Sequence, residues 1–210
     1  GAPSAGRALG AKPISREETL MAGVAGAGRG LFGTGYVVFM GFAPPLLIQG
    51  GMDVAAAGLL TSMAAAMSVV SVPVGGYLSD RTGKTNWFIA LGALGTGLSC
   101  ALLPALAPAA LWVAAFGLLR GGCTGGIMAM PAEALRPESR RAGFAVASAV
   151  YFVLMAAAPA AAGFLLDATG DARAPVWFAA GLWFAILVQL TIFRLLLRRW
   201  GPNAHLRSTA

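Results

Sequence analysis

Six long stretches of this chain are nearly free of charged residues, and each has about the length that crosses a lipid bilayer. A transmembrane α-helix needs about 20 predominantly apolar residues. Only 11% of the 210 residues are charged, whereas about 25% are charged in soluble domains. We therefore predict a membrane protein with six spans, numbered one to six, at residues 22–48, 54–78, 87–106, 109–130, 142–166 and 175–197.

The length and uniformity of these stretches indicate helices. Backbone groups in lipid must be hydrogen-bonded within the protein, which leaves helices or a closed barrel. Barrel strands are about 10 residues long and alternate strictly, and these stretches are longer and apolar throughout. The predicted fold class is an all-α membrane protein.

One eight-residue pattern occurs twice, as GYLSDRTG at 76–83 and GFLLDATG at 163–170, at an offset of 87 residues. Each copy closes an apolar stretch. The first carries the cations Arg81 and Lys84, whereas the second has Ala168 and Asp171 at the matching positions. Basic residues collect on the cytoplasmic side, so the two copies are expected on opposite sides of the membrane. This predicts two inverted three-helix repeats, a plan typical of transporters.

The distribution of cations predicts the orientation. Nearly all cations outside the spans lie in the loops and ends on one side of the predicted bundle, and only Arg173 lies in the loops on the other side. We therefore expect both termini to be cytoplasmic and the chain to lie in the plasma (inner) membrane, as a multi-pass protein. The net charge of +7 is interpreted as a topology signal and as attraction to anionic lipid. Cations spread over separate loops form no stripe for nucleic acid, so no nucleic-acid partner is predicted. Twelve of the fifteen basic residues lie on the predicted cytoplasmic side: Arg7, Lys12, Arg16, Arg81, Lys84, Arg136, Arg140, Arg141, Arg194, Arg198, Arg199 and Arg207.

The predicted domain organisation has three parts. Residues 1–20 are expected to be a linker or a cut N-terminal segment, residues 21–199 the six-helix membrane unit, and residues 200–210 a cytoplasmic tail. Cys100 and Cys123 fall inside spans three and four, where they are expected to pack as small apolar residues. Glycines at four-residue spacing in span four, Gly117, Gly121 and Gly125, predict close helix packing.

Arg120 lies near the centre of predicted span four. An arginine there costs about 2.5–3.5 kcal/mol on insertion scales, so it must face protein or a watery cavity. No Asp or Glu occurs well inside any predicted span. The partner of Arg120 is therefore water, carbonyl groups, another part of the transporter or an anionic substrate, and a structural role is the alternative.

Four other polar residues in the spans are large enough to hold a ligand. Arg29 lies in span one, and Tyr36, seven residues later, shares its face. Tyr151 lies in span five, and Gln189 lies in span six. No catalytic or metal cluster is present in the sequence, whose one histidine, His205, is in the tail, so we predict neither an enzyme nor a cofactor.

Two connecting segments resemble those of a known family. The pattern Gly76-x-x-x-Asp80-Arg81-x-Gly83-Lys84 resembles the signature loop between the second and third helices of each half of the major facilitator superfamily, although Thr85 stands where a second basic residue is usual. Residues 131–141 resemble the cytoplasmic connection between the fourth and fifth helices. The resemblance implies one half of a twelve-helix unit, most similar to a C-terminal half. A free-standing half that dimerises and an N-terminal half are the alternatives.

The resemblance also implies a function. It points to a secondary active permease that moves a small solute, with an organic anion as a candidate, by alternating access. In the family, the first, second, fourth and fifth helices line the cavity, which favours Tyr36, Arg120 and Tyr151 over Gln189. The partners implied are the lipid bilayer, the solute, and the missing six-helix half or a second copy. The alternative function is a non-transporting membrane assembly or interaction module.

By the same resemblance, the cytoplasmic loops form a gate. Arg81 would pair with Glu133 at the inner end of span four, with Arg140 nearby, and this latch would hold one access state. Asp80 is expected to accept backbone N–H groups at a helix start. Terminating the helix and fixing topology is the alternative role of Asp80 and Arg81.

Overall fold

A computed structural model describes residues 14–201, and within them six helices are long and apolar enough to cross a bilayer. The fold class is the predicted all-α membrane class, and the protein is an integral multi-pass membrane protein. No strand occurs among residues 14–201. The spans are Arg16–Gln49, Val54–Thr82, Thr85–Leu102, Ala109–Ala134, Arg140–Thr169 and Arg173–Trp200.

Span one begins earlier than the apolar pattern predicted. Ser15 caps it: the Ser15 hydroxyl accepts the Glu18 N–H at 3.2 Å, and the Glu18 carboxylate accepts the Ser15 N–H at 3.2 Å. This capping box satisfies two N–H groups that a helix start leaves unpaired. Residues 16–20, predicted as linker, are therefore helix, because a capped first turn is polar and lies outside the hydrophobic signal. The rest of that predicted linker, up to residue 13, lies outside the described residues, as does the tail from residue 202 with His205 and Arg207.

The two copies of the repeated pattern end their helices in the same way. Gly83 has φ 64° and donates its N–H to the Ser79 carbonyl at 3.0 Å, and Gly170 has φ 65° and donates to Leu166 at 2.8 Å. Glycine is favoured in this left-handed conformation because it lacks a Cβ. The shared sequence thus marks a shared turn.

Helix packing follows the symmetry predicted for the repeats. Span one packs chiefly against spans five and six, and span four packs chiefly against spans two and three. If span one is matched to span four, span two to span five and span three to span six, the contacts of span one with spans five and six correspond to those of span four with spans two and three. This arrangement is that of two inverted three-helix repeats.

Glycine brings the backbones of neighbouring spans into contact. A Cβ at Gly121 would fall on the Ser71 carbonyl of span two, and one at Gly117 would lie 2.5 Å from the Ala64 carbonyl oxygen. In span one, a Cβ at Gly26 would meet the backbone of Ala147 in span five. Lipid provides no hydrophobic drive between helices, so such close contacts must supply the attraction. The predicted glycine ridge of span four is confirmed.

The hydrogen-bond ladder of span four is interrupted at Arg120, whose backbone angles stay helical (φ −61°, ψ −26°), whereas the sequence predicted a regular helix. Its two helical pieces are Ala109–Leu119 and Gly121–Ala134. The Ser71 hydroxyl donates a 2.7 Å hydrogen bond to the Gly117 carbonyl, which in a regular helix accepts only the Gly121 N–H. A polar group inserted into the hydrogen-bond ladder is a known cause of such distortion. No pattern within span four predicts this distortion, because the inserted hydroxyl belongs to another span.

We expect Gly121→Ala to destabilise the protein by about 1–3 kcal/mol, the usual cost of overpacking a tight contact. The measurement is the thermal unfolding temperature in detergent. Gly58→Ala in span two is the matched control, because a Cβ at Gly58 meets nothing within 4 Å; its Tm should stay unchanged or rise slightly. Equal Tm values for the two variants would contradict the close contact between spans two and four.

Candidate functional site

Arg120 lies at the junction of the two pieces of span four, with its guanidinium over two aromatic rings of span one. Its Cζ is 4.2 Å from the centroid of Tyr36 and 4.9 Å from that of Phe32. A desolvated cation–π contact is worth about 2 kcal/mol, so two rings are enough to offset the ~2.5–3.5 kcal/mol cost of placing arginine at mid-span. No acidic side chain pairs with Arg120 among residues 14–201.

An aromatic cluster fixes the position of these rings. Tyr36 stacks on Phe116 of span four with centroids 6.3 Å apart, and Phe39 stacks on the same ring at 3.7 Å. Phe116 also meets the fully buried Trp183 of span six edge to face at 5.8 Å. Sequence reasoning missed Phe32, since one phenylalanine in an apolar span is unremarkable. Its spacing of four residues from Tyr36 was the available signal.

A second arginine and tyrosine meet between spans one and five. Arg29 Cζ lies 5.3 Å from the centroid of Tyr151. Gly33 makes room for this ring, because a Cβ there would lie 3.2 Å from Tyr151 Cε2. Arg29, Gly33 and Tyr36 follow one another at helical spacing, and so this face of span one lies toward both spans five and four. The structure thus brings the four predicted ligand residues into two Arg–Tyr pairs along that face.

These pairs place two cations where an anion could bind. Arg29 and Arg120 are half-buried, and neither forms an ion pair within the described part of the chain. The Nε atom of each is buried without a hydrogen-bond partner. The aromatic faces hold the planar guanidinium groups, whose N–H edges match a carboxylate or phosphate in bidentate geometry.

Gln189 serves to join two helices. Its side-chain N–H donates to the Val24 carbonyl of span one at 2.9 Å. A Cβ at Gly28 would lie 2.7 Å from the Gln189 amide, so glycine provides the space for it. The buried amide is a packing contact between spans six and one.

The signature loop lies at the basic end of the bundle, formed by the ends of spans two, four and six and the starts of spans one, three and five. Gly76 packs against span four: a Cβ at Gly125 would lie 3.3 Å from the Gly76 Cα. Asp80 is exposed and accepts no hydrogen bond from the described residues, and span three begins after Lys84 without a side-chain cap. The expected capping role of Asp80 is therefore not seen.

The ion pair at this loop differs from the one that the resemblance implied. Glu133 pairs with Arg194 of span six. Arg81 instead donates to the Tyr77 hydroxyl of its own helix at 3.0 Å, and Arg140 is exposed and forms no ion pair in the part described. The Arg81–Glu133 latch is thus not formed here, because Arg81 extends back along span two while Glu133 lies beside span six.

A cluster that the sequence reasoning missed joins the start of span one to the connection between spans four and five. The Glu18 carboxylate accepts Arg136 Nε at 2.9 Å and Nη2 at 3.0 Å, in bidentate geometry, and the Ser139 hydroxyl at 2.7 Å. The hydrogen bond with Glu18 raises the pKa of Arg136. The sequence patterns assign Arg136 to the topology cations and to the connecting segment 131–141, and neither predicts this pair with Glu18. The capping-box spacing of Ser15 and Glu18 was an available signal for a helix start, but the sequence prediction did not use it.

We expect Glu18→Gln to lower the Tm by several degrees, because it weakens the charge-assisted hydrogen bonds that the buried Glu18 carboxylate accepts from the half-exposed Arg136 and from Ser139. Arg136→Gln should lower it too, and the double variant should lie close to the lower single variant, since both remove the same contact. Glu17→Gln is the control, as Glu17 is exposed in the same helical turn. Strictly additive shifts in Tm would contradict this coupling.

Comparison with known proteins identifies the family. The model of the Major Facilitator Superfamily matches residues 25–208, which include most of span one and all of spans two to six. No curated protein and no solved structure matches the chain at a significant level. The match extends over most of the chain and agrees with the six spans, the inverted repeats and the signature loop. The chain belongs to the major facilitator superfamily of membrane transporters.

Proposed function

We propose that this chain forms six spans of a secondary carrier that moves a small anionic solute by alternating access. Its family supports transport as the activity. The observation that supports an anionic solute is Arg120, which lies at mid-span over Tyr36 and Phe32 without an acidic partner among residues 14–201.

The surroundings of Arg120 favour a reversible anion contact. An acidic partner would neutralise the guanidinium permanently, whereas the rings stabilise the charge without occupying its N–H groups. An anion that arrives from water forms charge-assisted hydrogen bonds, which are roughly twice as strong as neutral ones. The rings can keep the arginine in place after the anion leaves, as a carrier requires.

Arg29 and Tyr151 extend this site toward the basic end. Arg29 precedes Tyr36 by seven residues, which corresponds to about 10 Å along the helix. A solute that moves between the two Arg–Tyr pairs meets a cation and a phenol hydroxyl at each. The proposed path therefore follows one face of span one, between spans four and five.

We further propose that the missing half or a second copy of the chain completes the cavity. Six spans cannot enclose a central site, which in these carriers lies between two bundles. Spans two and five expose large apolar side chains along much of their length, including Val69, Val70, Phe152 and Val153. The same exposed faces favour the second candidate, a non-transporting membrane assembly module.

In the proposed orientation the basic end faces the cytoplasm, in a plasma (inner) membrane. The cations of the signature loop, of the connection between spans four and five, and of the end of span six gather at this end. Basic residues are retained on the cytoplasmic side during insertion. Both termini would then be cytoplasmic.

Anion binding can be tested with a panel of small carboxylates and their uncharged alcohol analogues. We expect at least one carboxylate, but not its alcohol, to raise the Tm of the purified chain and to be taken up by vesicles that contain the assembled carrier. Arg120→Gln should abolish both effects, and Arg120→Lys should restore them only in part, because lysine lacks the bidentate edge. Arg141→Gln, at an exposed cation of span five, is the control. Uptake that Arg120→Gln leaves intact would overturn the proposed site.

The orientation can be tested at the matched turns of the two repeats. Thr82→Cys and Thr169→Cys place a thiol at equivalent exposed positions, and the native Cys100 and Cys123 are buried. A membrane-impermeant maleimide added to intact cells should label only the cysteine at 169. Permeabilised cells should show labelling of both. Labelling of both cysteines in intact cells, or only of that at 82, would contradict the inverted arrangement or its orientation, respectively.

A further inference from the structure

A groove of about 350 Å³ runs between spans three and six at the basic end of the bundle. Its wall is apolar, and Asn86 and Thr191 also border it. Trp87 and Leu195 are 66% and 59% exposed, so the groove opens to the outer surface of the bundle. Its other lining residues are Trp87, Ala90, Leu190, Arg194, Leu195 and Arg198.

A second groove lies on the other side of Trp87. It also has a volume of about 350 Å³, and its lining residues are Lys84, Trp87, Phe88 and Leu91. The indole thus separates two apolar clefts, with Lys84 at one and Arg198 at the other. Tryptophan is enriched at the depth of lipid headgroups, where its apolar ring and polar N–H meet both environments.

The charges around Trp87 are not balanced. Arg194 is neutralised by Glu133, but Lys84 and Arg198 form no ion pair with any described residue. No acidic side chain lines either groove. Lys84 and Arg198, neither of which is neutralised by a described residue, therefore lie beside two clefts with apolar walls that can contact acyl chains.

From this arrangement we propose that the paired grooves around Trp87 bind an anionic glycerophospholipid of the adjoining leaflet. The phosphate lies between Lys84 and Arg198, and the acyl chains follow the apolar walls past Ala90, Leu190 and Leu91. Basic pockets between membrane helices are suited to such headgroups, and each cation near the surface contributes about 1 kcal/mol. A zwitterionic lipid carries its own cation, so the site favours a net negative headgroup. The proposal does not depend on which solute the protein carries.

The experiment compares phosphatidylglycerol with phosphatidylcholine on the purified chain in nonionic detergent. The readouts are the apparent affinity from lipid-dependent rise in Tm and the number of lipids retained in native mass spectrometry. We expect tighter binding of phosphatidylglycerol. Lys84→Gln and Arg198→Gln should each weaken it about fivefold, and the double variant by roughly 25-fold, as expected for about 1 kcal/mol per cation.

Arg199→Gln is the matched control. Arg199 is one residue from Arg198, but its Cζ lies 5.4 Å from the Trp200 ring and it does not line either groove, so this variant should keep the affinity of the parent. Each variant is compared with itself in detergent alone, which separates lipid binding from any change in folding. Three results would overturn the proposal: equal binding of both lipids, parental affinity in the double variant, or full stabilisation by inorganic phosphate without lipid.

Discussion

The structure depends on backbone-to-backbone contact between spans two and four. In lipid there is no hydrophobic gain from bringing helices together, so stability must come from dispersion and hydrogen bonds across close interfaces. Gly117 and Gly121 permit that approach, and the Ser71 hydroxyl then reaches the Gly117 carbonyl at 2.7 Å. The packing contact and the break at Arg120 are therefore linked, because one serine that approaches closely also disturbs the helix that it meets. The position of Arg120 therefore depends on the close packing of spans two and four.

Charged side chains are stabilised in two different ways in different parts of the bundle. At the basic end, carboxylates neutralise arginines, in Glu18–Arg136 and Glu133–Arg194. At mid-span, aromatic rings stabilise Arg120 instead. A guanidinium in a salt bridge already has an anionic partner, so binding a further anion would add little stabilisation. A cation–π contact, in contrast, leaves the guanidinium N–H groups available for hydrogen bonds. The separation of these two kinds of site is what distinguishes residues that hold helices together from residues suited to bind a solute.

Sequence patterns predicted the spans, the repeats and the matched turns, because each depends on local composition. Gly83 and Gly170 were identified from their shared octapeptide, and both adopt the same left-handed turn. Contacts between distant segments were harder to predict. Neither the Ser71 insertion nor the Glu133–Arg194 pair has a local signature. The early start of span one lies outside the apolar pattern because its capping turn is polar, and only the capping-box spacing of Ser15 and Glu18 signals it. Arg120 and Tyr36 were chosen for their chemistry, but only the fold shows that they meet.

The two repeats share a backbone plan and differ in chemistry at mid-span. At the 87-residue offset of the repeated pattern, Gly33 of span one corresponds to Arg120 of span four. Gly33 receives the Tyr151 ring from span five, while Arg120 extends over the rings of span one. Glycine and arginine at equivalent positions thus convert a symmetric helix crossing into an asymmetric polar site. The inverted scaffold is therefore symmetric in how its helices cross but not in where it places charge.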